Sequence, residues 1–407
     1  MKIVQLITGS TSFGGAEAHV RDLAIGLIAR GHECVVMVGE PESLLTRQLR
    51  ASGVPVVIVS ALRKPIHPLL DPISLVQIIA ALRRIQPDIL ATHTSKAGFI
   101  GRIAATLLGI PSFFTPHGLS FIHRATSKPI RFRLALERIA LSLGATFIAV
   151  CDAERRLALQ LLPLSPRSIV TIHNGIPDRV ATPRQPHTST IITMVARFDL
   201  QKDHATLFKA LATLTDLDWQ LRLAGSGPLL PAARHLAAKY ELTQRIQFLE
   251  ECADTPALLA VSDIFVLISN WEAFPISILE AMREGLPILA TDIGGVNEAI
   301  HDRVNGFLIP PQDSNRIAQC LRLLVCSAAL RQAMGSRSRQ TFIERFVAPL
   351  MLDKTETVYA AALSGLIRRT DPNQLGNALH AENRTEQPFF SQEHDHGIPS
   401  HSRNEPQ

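Results

Sequence analysis

Two glutamates, Glu272 and Glu280, interrupt the otherwise apolar stretch NWEAFPISILEAM at residues 270–282. Proline is tolerated in the first turn of a helix, where its missing N–H would be unbonded anyway. Pro275 therefore predicts a helix start, with Glu272 in the loop before it and Glu280 about a turn and a half inside. The free N–H groups of such a start, including those around Phe274 and Ile276, favour a phosphate. Carboxylates repel that phosphate but accept hydrogen bonds from neutral hydroxyls. A nucleotide sugar, with hydroxyls on both sides of a diphosphate, meets both demands. Ile276, Ile278, Leu279 and Met282 argue for burial and against two solvated glutamates.

Three further loops follow apolar runs. In TSFGGAEAHV (residues 11–20), Gly14 and Gly15 let a ligand approach the backbone at a helix start. The loop lacks the Gly-Lys-Ser/Thr of a phosphate-binding P-loop and the G-x-G-x-x-G spacing, and an ordinary glycine turn would also suit it. In TPHGLSF (115–121), His117 stands at a strand end beside a glycine, as either a cleft residue or a structural histidine. In VARFDLQKDH (195–204), Arg197 and Lys202 offer a planar fork and a point charge, which suit a diphosphate; a solvated loop remains the alternative. LAGSGPL (223–229) adds Gly225 in another loop after a strand. The Asp216-Leu217-Asp218 pair lies before a strand, at the end away from such loops, and reads as a surface turn. No metal site is expected.

What must position these loops is an alternation of strands and helices. Apolar runs such as KIVQLI, CVVMV and TFIAV, then IITMVAR, QLRLAG and IFVLIS, alternate with helical patterns in both halves. This predicts an α/β protein with two Rossmann-like doubly wound domains facing across a cleft. Residues 1–180 form the first expected domain and 181–348 the second. IPDRVATPRQPHTST (176–190) reads as the linker between them. A helix over 349–369 is expected to return to the first domain, and the polar, His-rich residues 370–407 read as a disordered tail.

The 407-residue chain has a net charge of +5, unevenly spread. Residues 1–180 carry 20 Lys+Arg against 11 Asp+Glu, and the remainder 21 against 25. A basic half suits anionic lipid, phosphorylated substrates or nucleic acid, but no nucleic-acid module is recognisable. Five scattered cysteines without a C-x-x-C pair fit a reducing cytoplasm, with buried free thiols. MKIVQLITGS reads as a first strand and not a secretion signal, and no apolar run approaches the roughly 18 residues of a membrane span.

In this order GGAEAHV, TPHG, IHNGI, VARFDLQKD, LAGSGPL, EAFPISILEAM and DIGGVNEAI resemble glycosyltransferase family 4, whose fold is GT-B. The resemblance runs from residue 1 to about residue 365. It implies retaining, metal-independent transfer from a UDP- or GDP-sugar, with no cofactor beyond that co-substrate, the acceptor bound by residues 1–180 and the nucleotide sugar by 181–348. By the same resemblance, the Gly14–Gly15 amides face the donor phosphate and His117 the transferred sugar. Arg197 and Lys202 neutralise the diphosphate, Glu272 binds the donor sugar with the amides around Phe274 and Ile276, and Glu280 accepts from the ribose. Pro275 removes one amide, and Cys151 stands where the family commonly has serine. A glycan or lipid-linked acceptor of surface-polysaccharide assembly is expected. FIHRATSKPIRFRLALERIALSL (121–143) carries Arg124, Lys128, Arg131 and Arg133 among apolar residues, so it suits peripheral contact with an anionic membrane or a solvated helix face. A nucleotide-sugar 2-epimerase or a non-catalytic sugar-nucleotide binder are the alternatives.

Overall fold

The computed structural model describes residues 1–9, 13–119, 128–179, 188–250 and 254–365. Among these, two wholly parallel sheets stand apart in the chain. The first contains β1 (Lys2–Ile7), β2 (Glu33–Val38), β3 (Val56–Ile58), β4 (Ile89–His93), β5 (Ser112–Thr115), β6 (Thr146–Ala149) and β7 (Ile169–Thr171). Its spatial order is β3-β2-β1-β4-β5-β6-β7. Each crossover carries helix or loop: α1 (Gly15–Ala29), α2 (Leu44–Ala51), α3 (Leu70–Ile85), α4 (Ser95–Leu108), α5 (Lys128–Leu141) and α6 (Asp152–Leu161). Parallel strands covered on both faces have no wet side, which explains the near-continuous apolar runs.

The second sheet runs β10-β9-β8-β11-β12-β13. Its strands are β8 (Thr190–Val195), β9 (Trp219–Ala224), β10 (Ile246–Glu250), β11 (Ile264–Leu267), β12 (Ile288–Thr291) and β13 (Gly306–Ile309). The helices are α7 (His204–Leu211), α8 (Leu230–Lys239), α9 (Thr255–Ala260), α10 (Ile276–Arg283), α11 (Val296–Ala299), α12 (Ser314–Cys326), α13 (Ala328–Arg345) and α14 (Ala348–Leu363). The doubly wound α/β expectation thus matches both halves.

In each sheet the winding reverses once, between β1 and β4 and between β8 and β11. Loops leaving the strand ends there diverge to opposite faces and open a crevice, the usual ligand site of such sheets.

After α13 the chain crosses back beside the first crossing. The Ile176 N–H donates to the Phe346 carbonyl at 3.0 Å, and the Ala348 N–H to the Ile176 carbonyl at 2.8 Å. Helix α14 then packs on α1 of the first unit. Leu352 fills the space over Gly26, Tyr359 tilts against Phe113 at 4.6 Å between ring centroids, and Arg30 bonds both Asp353 and Glu356 at 2.6 Å. Among the described residues Cys34, Cys151 and Cys320 are buried free thiols, while Cys326 is exposed, against the expectation for that position. The tail past residue 365 lies outside the described residues.

Candidate active site

A cleft of about 1560 Å³ lies between the two sheets' strand ends. Its lining collects Gly14, Gly15, His117, Arg197, Lys202, Gly225, Glu272, Phe274, Pro275, Ile276 and Glu280 from five separate strand-to-helix connections.

On one side are the loops after β8 and β11, at the switch point. Their backbones are stitched together: the Asp203 N–H donates to the Ile268 carbonyl at 2.9 Å, and the Asn270 N–H to the Gln201 carbonyl at 2.7 Å. Lys202 is therefore held opposite Glu272, and its ammonium donates to Oε1. Ser269 Oγ donates to the same oxygen at 2.8 Å and Gln201 Nε2 to Oε2 at 3.1 Å. Arg197 stays half-exposed, its nearest carboxylate being Asp199 at 3.8 Å. Two glycines let this region pack so tightly. Gly294 has φ +56°, and a Cβ there would stand 2.1 Å from the Glu272 carbonyl. Gly225, at φ +144°, would put one 2.0 Å from the Ala196 carbonyl.

Pro275 is not inside the helix. Its ψ of 123° is extended, so it occupies the N-cap and α10 begins at Ile276. Glu280 accordingly sits little more than one turn in, nearer the N-terminus than the sequence suggests. Its carboxyl makes no hydrogen bond among the described residues and lines the cleft. Burial pushes its pKa up to about 7, with Arg283 and Arg21 opposing.

Across the cleft, His117 adopts φ +57° and Gly118 φ +109°, a turn that aims the imidazole inward. Glu154, on α6, fixes this turn: it accepts from the Gly118 N–H at 2.8 Å and the Val150 N–H at 2.9 Å. Burial raises the Glu154 pKa to about 7 despite those bonds. Cys151 caps α6, its sulfur accepting from the Glu154 N–H at 3.4 Å, which is the role a serine would fill.

Behind His117 lies a ladder of neutral side chains. His93 Nδ1 is 3.0 Å from His117 Nε2, and His93 Nε2 is 2.6 Å from the buried Gln5 Oε1. With the Gln5 oxygen facing it, His93 donates from Nε2 and accepts at Nδ1, so His117 donates from Nε2 and keeps Nδ1 unprotonated. Desolvation holds His93 and His117 well below the usual imidazole range, and His19 at about 4. His19, stacked edge-on against His117, bonds Asn174 at 3.0 Å, and the Asn174 amide donates to the Phe274 carbonyl at 2.9 Å. One polar chain thus joins the histidine cluster to the loop before α10. Nitrogens of His19, His93 and His117 lie within 4.8 Å of one another, close enough to share a metal ion, as do ligand atoms of Asp152, His173 and Glu298.

The two halves also touch directly. A Cβ on Gly15 would meet Ile276 at 3.9 Å. Glu298 of the second half caps α6 of the first, accepting from the N–H groups of Asp152 and Ala153 at 2.8 and 2.7 Å and pairing with His173 at 2.7 Å.

Residues 13–179 match the family described as Glycosyltransferase Family 4, and residues 178–341 match Glycosyl transferases group 1. An Escherichia coli protein named UDP-Gal:alpha-D-GlcNAc-diphosphoundecaprenol alpha-1,3-galactosyltransferase is 27% identical over 70% of this chain and 78% of its own. This chain is a family 4-like GT-B glycosyltransferase. Among solved structures, sucrose-phosphate synthase from Thermosynechococcus elongatus superposes with a TM-score of 0.78 at 20% identity, covering 90% of this chain and all of that one. Anabaena HepE in complex with UDP-glucose gives 0.75 at 21%, with the same coverage. At such identities these two speak for the GT-B fold alone. The relatives named are transferases, and the epimerase alternative gains no support from them.

Other expected residues of the glycosyltransferase fall elsewhere. Arg124 lies outside the described residues, as do the side chains of Lys128, Arg131 and Arg133; for these three only the helical backbone of α5 is given. Glu137, on the same helix, is buried 2.7 Å from the fully buried Arg102. Asp216 forms a two-bond ion pair with Arg322 on the surface, at 2.6 and 2.9 Å, as a surface turn would. Gln5, His19, His93, Glu154, Asn174 and Glu298 were not singled out from sequence. Gln5 lies inside β1 and Asn174 in the loop after β7, His93 ends β4, and His19, Glu154 and Glu298 stand early in helices, so no shared position marks them in the linear chain.

Proposed function

We propose that this glycosyltransferase moves a sugar, with retention and without an essential metal, from a nucleotide-sugar donor to a lipid-linked or polysaccharide-precursor acceptor. The observation that carries this reading is the Lys202–Glu272 ion pair, gathered with Arg197 and the α10 N-terminus along the lining of one cleft that His117 also lines. In this reading, Lys202, Arg197, the Gly14–Gly15 amides and the first N–H groups of α10 take up the charge that grows on the leaving diphosphate. Such preorganised donors typically supply about 3–4 kcal/mol each. Glu272 binds donor-sugar hydroxyls, Glu280 the ribose, and His117 the transferred sugar. The cations meet the demand a metal would otherwise serve, and Asp216 is committed to Arg322.

Retention fits attack on the face that the diphosphate leaves, with a β-phosphate oxygen taking the acceptor proton. Glu272 is neutralised by Lys202 and Glu154 is engaged by backbone N–H groups, which leaves neither well suited as a covalent nucleophile. The E. coli relative's name, a galactosyltransferase acting on a diphosphoundecaprenol-linked sugar, supports a lipid-linked acceptor and a UDP-sugar. The test is a panel of UDP- and GDP-sugars with membrane lipid extract as acceptor, with and without a chelator. Transfer that survives chelation supports the reading; loss restored by magnesium or manganese would overturn the metal-free part.

A further inference from the structure

Three imidazoles stand together at and behind the cleft wall. His19, from α1, and His93, at the end of β4, are 5% and 1% exposed, while His117 lines the cleft. Their ring centroids are 4.7 Å (His19–His117), 5.2 Å (His93–His117) and 5.6 Å (His19–His93) apart. The reading above uses His117 for the transferred sugar and gives His19 no task. Packing alone does not require buried histidines to bring nitrogens together, yet one nitrogen of each ring lies within 4.8 Å of the other two.

The outer partners fix which nitrogens carry lone pairs. Asn174 gives its amide N–H to the Phe274 carbonyl at 2.9 Å, so its oxygen faces His19 Nδ1 at 3.0 Å. His19 therefore donates from Nδ1 and holds a lone pair on Nε2. Gln5 Oε1 likewise takes the His93 Nε2–H at 2.6 Å, which leaves the lone pair on Nδ1. That Nδ1 lies 3.0 Å from His117 Nε2, with one proton between them. Nitrogens bound to a tetrahedral zinc at about 2.0–2.1 Å stand about 3.3–3.4 Å apart, so small shifts suffice. A metal-bound histidine characteristically donates its other N–H to a fixed oxygen, the arrangement that Asn174 and Gln5 impose here. Desolvation also keeps the three rings neutral, the form that binds metal. The cluster of Asp152, His173 and Glu298 is poorer: Glu298 already accepts from two backbone N–H groups and pairs with His173, and Asp152 accepts from the Thr171 hydroxyl.

We propose that His19, His93 and His117 bind one Zn²⁺ ion, and that the bound ion withholds His117 from the donor sugar and so inhibits transfer. Three imidazoles without a carboxylate suit zinc and disfavour magnesium, manganese and calcium, which prefer oxygen. Zinc takes the place of the proton between His93 and His117. His117 then carries that proton on Nδ1, so no net proton is released. A fourth position stays open for water on the side of His117 and the cleft, as three-histidine zinc sites leave one open. Zinc binding stands independently of the glycosyl-transfer reading; the inhibition rests on that reading's assignment of His117.

Titration calorimetry with zinc chloride on full-length protein tests the site, alongside cobalt(II) absorption, which reports tetrahedral ligation. The variants are His19→Phe and Gln5→Leu, with His173→Phe as the control for the second cluster. All of them keep the histidines of residues 370–407, so differences among the proteins exclude binding by the tail. Gln5→Leu should bind zinc about 10–100-fold more weakly than wild type, the cost of an outer partner, and His19→Phe about a hundredfold more weakly or worse. His173→Phe should match wild type. Zinc should raise the melting temperature of wild type and not that of His19→Phe. Without zinc, UDP binding by each variant should be retained, which separates loss of the site from misfolding. Equal zinc binding by wild type and His19→Phe, a loss on His173→Phe alone, or no tetrahedral cobalt spectrum in wild type would overturn the proposal. In the transfer assay zinc should inhibit and excess EDTA should restore the full rate. Zinc that binds the three histidines without slowing transfer would overturn the inhibitory half. Absence of transfer from every donor would remove the glycosyl-transfer reading, while calorimetry still decides the site.

Discussion

The Lys202 ammonium is bound to the Glu272 carboxylate inside the cleft, with 11% and 6% of the two side chains exposed. The cation and the anion are therefore each other's partner, and in the proposed reading an arriving diphosphate would share Lys202 with Glu272. Removing one member strands the other's charge. Lys202→Met should destabilise the fold by about 3 kcal/mol, the low end for a largely buried pair because the cleft admits water. Adding Glu272→Gln should restore most of that stability while transfer stays abolished. Denaturant unfolding of wild type, both single variants and the double variant checks this; additive losses would mean the pair is not energetically coupled.

Glu280 yields a pH signature. Its carboxyl, pushed to about 7, gains charge as pH rises through neutrality. A carboxylate is the stronger acceptor, so donor binding should tighten with pH across that range and Glu280→Gln should lose this dependence. Comparing the two proteins cancels the diphosphate's own titration. The same shift has the opposite sign for stability. The folded form holds its proton more tightly than the unfolded one, so Glu280 lowers stability as pH climbs from about 4.5 to about 7. Calorimetric affinities and melting temperatures measured around pH 7 would expose either error.

In the proposed reading, His93 would act on the chemistry only through His117, as a positioning residue. His93→Phe keeps the ring volume but removes the acceptor for the His117 Nε2–H. Turnover should fall about a hundredfold, because small misplacements near a reacting centre cost that much, while KM for the donor changes little. A loss confined to KM would place His93 in binding instead.

Much of the cleft is legible in the linear chain because its parts obey local rules. Gly14–Gly15, His117, Arg197–Lys202 and Glu272 each follow an apolar run, and a parallel sheet puts all such points on one edge. Other parts depend on which strands become neighbours. Gln5 and His93 meet only because β1 pairs with β4. Arg102 and Glu137, 35 residues apart, meet only because α4 packs on α5. A polar residue in a strand or helix carries no mark of a partner supplied by another crossover. The Pro275 error was local: proline's φ suits both the N-cap and the first turn, and sequence alone does not give its ψ.

Glu298 offers a test of how the halves are held together. Burial alone would raise its pKa, but hydrogen bonds from His173, Asp152 and Ala153 outweigh this and hold it below the usual value. Its stabilisation is therefore present above that value and is lost as pH falls through the lower folded-state pKa. Glu298→Ala should cost about 1.5–3 kcal/mol, the worth of hydrogen bonds to a charged group. Small-angle scattering should also detect a more open pair of domains. An unchanged scattering profile and melting temperature would mean the contact contributes nothing to closure.

The most direct measurement supplies radiolabelled sugar on each of several UDP and GDP donors to purified protein with membrane lipid extract. Label should enter the lipid fraction from at least one donor, and Lys202→Met should lower the rate about a hundredfold or more. No transfer from any donor, an epimerised donor as the product, or a Lys202→Met protein as active as wild type would contradict glycosyl transfer in this cleft.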